Sequence, residues 1–165
     1  MKRLIQLVAA FAASLVMAVI AVPANAQKPP APTAVAKAQA GSEQPHRLII
    51  QVNTNDAAAM NLALNNAANV DQYYSDRGEP VEIEIITFGP GLHMLREDTS
   101  PVKDRVKSLA ENRPTVQFKA CGNTQENMSK LEKKKVTLVA QASVVPSGVV
   151  RIMALQEQGW SYLRP

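Results

Sequence analysis

The sequence predicts an α/β domain built on a mainly parallel sheet of about five strands. Short runs of β-branched and apolar residues alternate with stretches in which apolar residues recur at helical spacing. Strands that alternate with helices in this way imply right-handed crossovers between parallel neighbours. The predicted strands cover 47–53, 81–88, 115–120, 136–145 and 160–163.

The stretches between these strands carry helix signals. Asn55 or Asp56 can cap the first helix, and Ser100-Pro101 opens the third because proline suits the first helical position. The apolar segment 136–142 fits a buried helix as well as a strand, and the turn chemistry of Pro146-Ser147-Gly148 favours the strand. Helices are predicted at about 57–75, 92–95, from 100 onwards, 124–133 and 149–158.

The second and third predicted strands alternate between apolar and polar residues. A parallel sheet that is covered on both faces has nearly continuous apolar strands instead. The alternation therefore indicates that one face of the sheet is poorly covered, or that a neighbouring subunit covers it.

The first residues of the chain have the pattern of a secretory signal peptide. Lys2 and Arg3 precede an apolar stretch over 4–22, Pro23 breaks it, and Ala24-Asn25-Ala26 offers the small residues that a signal peptidase reads. We expect cleavage after Ala26 and a periplasmic protein without stable membrane insertion. The alternative is an uncleaved anchor, because about 19 apolar residues just span a bilayer.

The segment 27–45 is rich in proline, alanine and lysine and has no apolar periodicity, so it predicts a disordered tether before a folded domain at 46–165. Cleavage removes Lys2 and Arg3, which leaves 16 of the 18 basic residues against 14 acidic ones and a net charge of +2. A charge this small does not indicate a nucleic-acid partner.

The chain has a single cysteine, Cys121, so an intramolecular disulfide is excluded. An odd cysteine in an exported protein is a buried bystander, an intermolecular crosslink or a reactive thiol. His46 and His93 stand alone in the sequence, and no pair of ligands has metal-site spacing. We expect neither a metal nor a cofactor.

Ligand sites of open parallel sheets gather where the strands end. The candidate binding residues at the predicted strand ends are Asn53, Gly89, Gly91, Gly122, Asn123 and Thr124. Cys121 lies between a strand and the N-terminus of a helix, where unpaired amides and the helix dipole stabilise a thiolate. Gly122 permits close approach, and Asn123 with Glu126 has the spacing of a helix cap.

This placement suits a thiolate that attacks a sulfane sulfur and carries it as a persulfide. The alternative is that Cys121 simply packs in the core, as free cysteines often do. His93 follows the Gly89-Pro90-Gly91 turn and is a candidate proton-transfer partner at the same edge, although a lone exposed histidine is the commoner case.

The chain contains, in this order, HRLIIQV at 46–52, NLALNN at 61–66, FGPGL at 88–92, ACGNT at 120–124, and the segment 146–165. Together these segments resemble the DsrE/DsrF-like family, in particular its exported single-domain members. The resemblance implies a Rossmann-like three-layer sandwich, assembly into homo-oligomers, commonly trimers or hexamers, and kinship with sulfur-relay proteins of sulfur oxidation and tRNA thiolation. It also implies that Cys121 occupies the position of their persulfide-carrying cysteine.

The residues after Cys121 depart from those of the cytosolic relay subunits, and export rules out tRNA thiolation. The sequence therefore predicts a periplasmic sulfur-binding or sulfur-transfer protein that exchanges sulfur with a partner protein or a small sulfur compound. The alternative is a non-catalytic homo-oligomer that binds a small ligand or has a structural role, with a buried cysteine.

Overall fold

The computed structural model describes residues 44–165. The predicted signal peptide at 1–26 and residues 27–43 of the predicted tether lie outside the described residues. The described part contains a five-stranded parallel sheet with the strand order β4-β3-β2-β1-β5, which confirms the predicted α/β fold class. Its strands are β1 (His46–Val52), β2 (Val81–Thr87), β3 (Val116–Cys121), β4 (Ala142–Val145) and β5 (Ser161–Leu163).

Four helices and one 3-10 helix connect the strands. Asp56 caps the first helix by accepting from the amide of Ala58, and Ser147 caps the last by accepting from the amide of Val150. The helices are α1 (Ala57–Ser75), the 3-10 helix (Gly89–Leu95), α2 (Lys103–Asn112), α3 (Gly122–Glu132) and α4 (Gly148–Glu157).

The strand order places α4 alone on one face of the sheet. The connections from β1 to β4 all step in one direction, so right-handed crossovers put their helices on the same face. The connection from β4 to β5 runs back to the opposite edge, and its helix therefore packs on the other face. The larger core on the first face includes Ile50, Ile85 and Phe118, whereas Ile49 and Ile86 meet α4 in a small second core.

This asymmetry explains the alternating pattern of β2 and β3. Glu82 and Gln117 point to the face that carries only α4 and are exposed. Glu84 lies on the same face but is only 4% exposed, because Arg151 of α4 covers it. The guanidinium of Arg151 donates to both carboxylate oxygens of Glu84, at 2.9 and 2.5 Å.

The predicted strand at 136–145 is correct only over its last four residues, which form β4. Residues 136–141 have no regular structure, although Val136 and Val139 are buried. The amide of Val139 donates to the carbonyl of Leu95, so this segment packs against the end of the 3-10 helix. Its apolar character thus reflects burial beside that helix and not membership of the sheet.

A buried arginine fixes the end of α3, which precedes this segment. Arg96 is 1% exposed and donates to the carboxylates of Asp98 and Glu132, and Lys134 pairs with Asp98 as well. The hydrogen bonds to Glu132 and then to Asp98 raise the pKa of Arg96, despite the opposing effect of burial. The cluster ties the end of α3 to the loop after the 3-10 helix.

Among the helices of residues 44–165, none combines the length and the apolar character that crossing a bilayer requires.

Candidate functional site

Cys121 lies where the connections of the sheet change sides. Cys121 ends β3 and pairs with Val145 at the end of the neighbouring strand β4. The helix that follows β3 packs on one face of the sheet, and the helix that follows β4 packs on the other. Such a point of divergence opens a crevice at the carboxyl ends of the strands, which is where open α/β sheets bind ligands.

The N-termini of α3 and α4 both approach the sulfur of Cys121. Cys121 is only 5% exposed, and this burial acts to raise the pKa of its thiol. The Thr124 hydroxyl and the backbone amides of Gly148, Thr124 and Asn123 act in the opposite direction. Their combined effect is larger, so the pKa lies below the ordinary value of 9.0. The surroundings of the sulfur are therefore polar and favour the thiolate.

These polar groups are weak partners for the neutral thiol. Cys121 occupies the N-cap position of α3, yet its sulfur makes no regular cap hydrogen bond there. A neutral thiol is a poor acceptor, whereas a thiolate attracts nearby N–H and O–H groups strongly. The arrangement thus distinguishes the two protonation states and stabilises the charged one.

Two glycines allow the helix ends to come this close. A Cβ at Gly122 would lie 3.2 Å from Val144 Cγ1 and 3.3 Å from the carbonyl oxygen of Val145. A Cβ at Gly148 would lie 3.1 Å from the ring of Phe88. A side chain at either position would therefore crowd these neighbours.

The turn that follows β2 borders the same site. Gly89 has a φ of +51°, which glycine adopts at little cost, and its amide donates to Thr124 Oγ1 at 3.0 Å. At Gly91 there is no room for a side chain, because a Cβ would lie 2.1 Å from the carbonyl oxygen of Val52 and 2.8 Å from Cα of Asn53. The turn therefore joins the ends of β1 and β2 to the start of α3.

A surface depression of about 370 Å³ lies beside this turn. Most of its surface is apolar, and Thr124 is shared between the depression and the surroundings of the sulfur. It is lined by Gly89, Pro90, His93, Thr124, Asn127, Met128 and Leu131. The depression gives a small molecule or a partner's side chain a place next to the site.

The structure groups most of the predicted site residues around Cys121. Gly122, Asn123 and Thr124 begin α3, and Thr124 bonds to Gly89. Asn53 and Gly91 support the turn from behind.

Two predicted roles differ in the structure. His93 lines the depression, but its Nδ1 hydrogen-bonds to Oγ1 of Thr99 at 2.7 Å and no bond joins it to Cys121 among the described contacts. The predicted cap at Asn123 is wrong. Cys121 is the N-cap, because α3 begins directly at Gly122, and the Asn123 amide donates to the carbonyl of Pro146 at 3.2 Å.

The sequence does not predict two groups of the site, the Gly148 amide and the Thr124 hydroxyl. Gly148 belongs to a strand end that the sequence singled out, but its amide approaches a sulfur that belongs to another strand. The sequence indicates only the backbone of Thr124 at this helix start, whereas its hydroxyl also acts on the sulfur. The turn Pro146-Ser147-Gly148 is the sequence signal that points to the Gly148 amide.

Other features of the described residues lie apart from the sulfur. A larger depression, of about 590 Å³, is rimmed by Lys130, Lys133, Lys134 and Lys135 near the C-terminal end of α3, whereas Cys121 precedes its N-terminus. Within residues 44–165, no group of three or more His, Cys, Asp or Glu side chains is arranged to hold a metal ion.

Comparisons with known proteins agree with the fold and identify the family of the chain. The structure of MTH1491, a protein of unknown function from Methanobacterium thermoautotrophicum, is similar with a TM-score of 0.62 and 29% sequence identity, over 73% of this chain and 99% of that one. No curated protein matches the sequence significantly. The family model of the DsrE/DsrF-like family matches residues 46–165. The chain therefore belongs to the DsrE/DsrF-like family.

Proposed function

We propose that this chain is a periplasmic sulfur-transfer protein in which Cys121 carries sulfane sulfur as a persulfide. The observation that supports it most directly is the approach of two helix N-termini to the Cys121 sulfur, at the carboxyl ends of β3 and β4. Membership of a family that is linked to sulfur relay supports the same function. The donor is a small sulfur compound or the persulfide of a partner protein.

The loading step needs no cofactor. The thiolate of Cys121 attacks the outer sulfur of a donor R–S–SH, and a new S–S bond forms. The bond between the two donor sulfurs breaks, and its electron pair leaves with R–S⁻, which then takes up a proton. The lowered thiol pKa raises the fraction of the attacking thiolate.

Export and assembly are parts of the same proposal. The signal-peptide pattern that ends at Ala26 supports a periplasmic location. A row of exposed large aliphatic side chains on α4 supports a homo-oligomer. Its members, Val149, Val150 and Met153, are each at least half exposed.

The proposal is tested by intact-mass spectrometry of the mature protein after treatment with sodium polysulfide and, separately, with thiosulfate. We expect wild-type protein to gain sulfur and to lose it again on reduction. Cys121→Ser protein, and wild-type protein alkylated beforehand, should gain none. If neither donor modifies the wild-type protein, the persulfide role is refuted.

The alternative function is that of a non-catalytic oligomer that binds a small ligand near the strand ends. The low exposure of Cys121, 5%, favours it, because a persulfide carrier must meet its donor and acceptor. The two functions differ in how readily the thiol is alkylated and at what pH.

A further inference from the structure

Thr124 contributes a side-chain hydroxyl to the surroundings of the Cys121 sulfur, whereas Asn123 and Gly148 contribute backbone amides. Thr124 is the third residue of α3, and Cys121 is its N-cap. This is the spacing of a capping box, in which the side chain of the third residue turns back towards the N-cap. The third position lies one turn after the N-cap, so the Thr124 hydroxyl is on the side of α3 that faces Cys121, where it acts on the sulfur.

A second contact fixes the oxygen of the Thr124 hydroxyl and leaves its proton available. The amide of Gly89 donates to Thr124 Oγ1 at 3.0 Å, so this oxygen already acts as an acceptor. A hydroxyl has a single proton to donate. Threonines within helices often give that proton to a carbonyl of the preceding turn, but among the described contacts Thr124 makes no such bond. The proton is free to point towards the sulfur.

The donor that orients Thr124 is itself held firmly. Gly89 lies between two backbone hydrogen bonds of the turn, from the Phe88 amide to the Val52 carbonyl at 3.2 Å and from the Gly91 amide to the Phe88 carbonyl at 3.1 Å. The contact of Gly91 with Val52 leaves no space for the turn to shift inwards. The end of β1 thus supports the position of the hydroxyl.

We propose that the Thr124 hydroxyl, oriented by the Gly89 amide, stabilises the Cys121 sulfur as a leaving group when bound sulfur passes to an acceptor thiol. This inference rests on the proposed persulfide function. An acceptor thiolate attacks the outer sulfur of the persulfide and forms a new S–S bond. The bond to Sγ of Cys121 breaks, its electron pair stays on Sγ, and the outer sulfur leaves with its proton as R–S–SH.

A better leaving group accelerates this discharge step, because thiol exchange is faster when the departing thiolate is more stable. A hydrogen bond to a charged acceptor is stronger than one between neutral groups, so its loss is felt mainly when Sγ becomes negative. We expect Thr124→Val to slow discharge about three- to tenfold. Thr124→Ser retains the hydroxyl and should stay within about twofold of the wild type.

The experiment uses mature protein that has been loaded with sodium polysulfide and freed of excess reagent. Mercaptoethanol is the acceptor, and the loss of the bound sulfur is followed by intact-mass spectrometry. The dependence of Cys121 alkylation on pH is measured for the same variants and should shift to higher pH in Thr124→Val. Thr124→Ala is a second variant without the hydroxyl, and Thr137→Val, at an exposed position, is the matched control.

Slower discharge and a shifted alkylation curve in Thr124→Val and Thr124→Ala, with recovery in Thr124→Ser, would support the inference. An unchanged discharge rate and an unchanged alkylation curve in correctly folded Thr124→Ala would overturn the role of the hydroxyl. If wild-type protein still loads normally in that case, the proposed function stands. Wild-type protein that cannot be loaded would overturn the proposed function and this discharge role with it.

Discussion

At the level of single residues, the sulfur of Cys121 experiences two opposing effects. Burial removes water from the thiolate and raises its pKa, while the Thr124 hydroxyl and the amides of Gly148, Thr124 and Asn123 lower it. The polar groups act more strongly, and the pKa falls below 9.0. A thiol in an apolar core would show only the first effect.

This balance gives a prediction about alkylation. The rate of Cys121 modification by iodoacetamide follows the thiolate fraction, so its half-maximal pH should lie lower in the folded protein than in the same protein unfolded in urea. The unfolded chain is the matched control because it contains the same single cysteine. A folded-state midpoint above the unfolded one, together with very slow labelling, would support the alternative function with an inert cysteine.

At the level of secondary-structure elements, α4 connects the site to the sheet. Its N-terminus points its Gly148 amide at the sulfur of Cys121, and its Arg151 binds the buried carboxylate of Glu84 on β2. This hydrogen bond raises the pKa of Arg151, even though burial opposes the charge. The ion pair therefore contributes to the position of the amide that faces the sulfur.

Replacing Arg151 and replacing Glu84 should lower the stability of the protein by different amounts. Arg151→Met leaves a carboxylate buried without a counter-charge, and we expect it to lower the free energy of unfolding by about 2–3 kcal/mol. Glu84→Met should cost less, because the side chain of Arg151 is 37% exposed and can reach solvent. The double variant should recover most of the loss, since an apolar pair suits this position.

Urea denaturation of the four proteins measures these differences, with Arg164→Met, at an exposed position, as the control for the loss of a positive charge. Equal losses in Arg151→Met and Glu84→Met would contradict the unequal exposure of the two partners. No loss in Arg151→Met would show that the pair does not hold α4.

At the level of the whole molecule, the two faces of the sheet are unequal. Three helices and the 3-10 helix belong to one face, and α4 covers only part of the other. The outer side of α4 exposes Val149, Val150 and Met153, which recur at helical spacing. Large apolar side chains in one surface patch are typical of protein interfaces.

The proposed homo-oligomer is tested by sedimentation. We expect wild-type protein to sediment as an oligomer and the Val150→Lys/Met153→Lys variant to sediment as a monomer, because burying two lysines without partners is strongly unfavourable. Gln158→Lys, exposed at the C-cap of α4 and on a different side of the helix from the patch, adds a charge outside it and should remain oligomeric. Monomeric wild-type protein would remove the proposal, and an oligomeric double variant would place the interface elsewhere.

Local signals explain what could be predicted of the fold. Asp56 begins α1 as a helix cap, and the alternation of β2 correctly indicated a sheet with one sparsely covered face. The segment 136–141 was the exception, because an apolar run records burial but not the partner that causes it. Val139 is buried through a contact with Leu95, more than forty positions earlier in the chain.

The sequence by itself determined the succession of strands and helices and the location of the only cysteine at a strand end, since both depend on neighbouring residues and on the handedness of the chain. Only the tertiary structure decided that the Gly148 amide and the Thr124 hydroxyl both act on the sulfur of Cys121, and that Gly89 orients Thr124. It also decided that Arg96 and Glu84 are buried with their charges paired. Each of these depends on contacts between segments distant in sequence, and no local periodicity records which distant groups will meet.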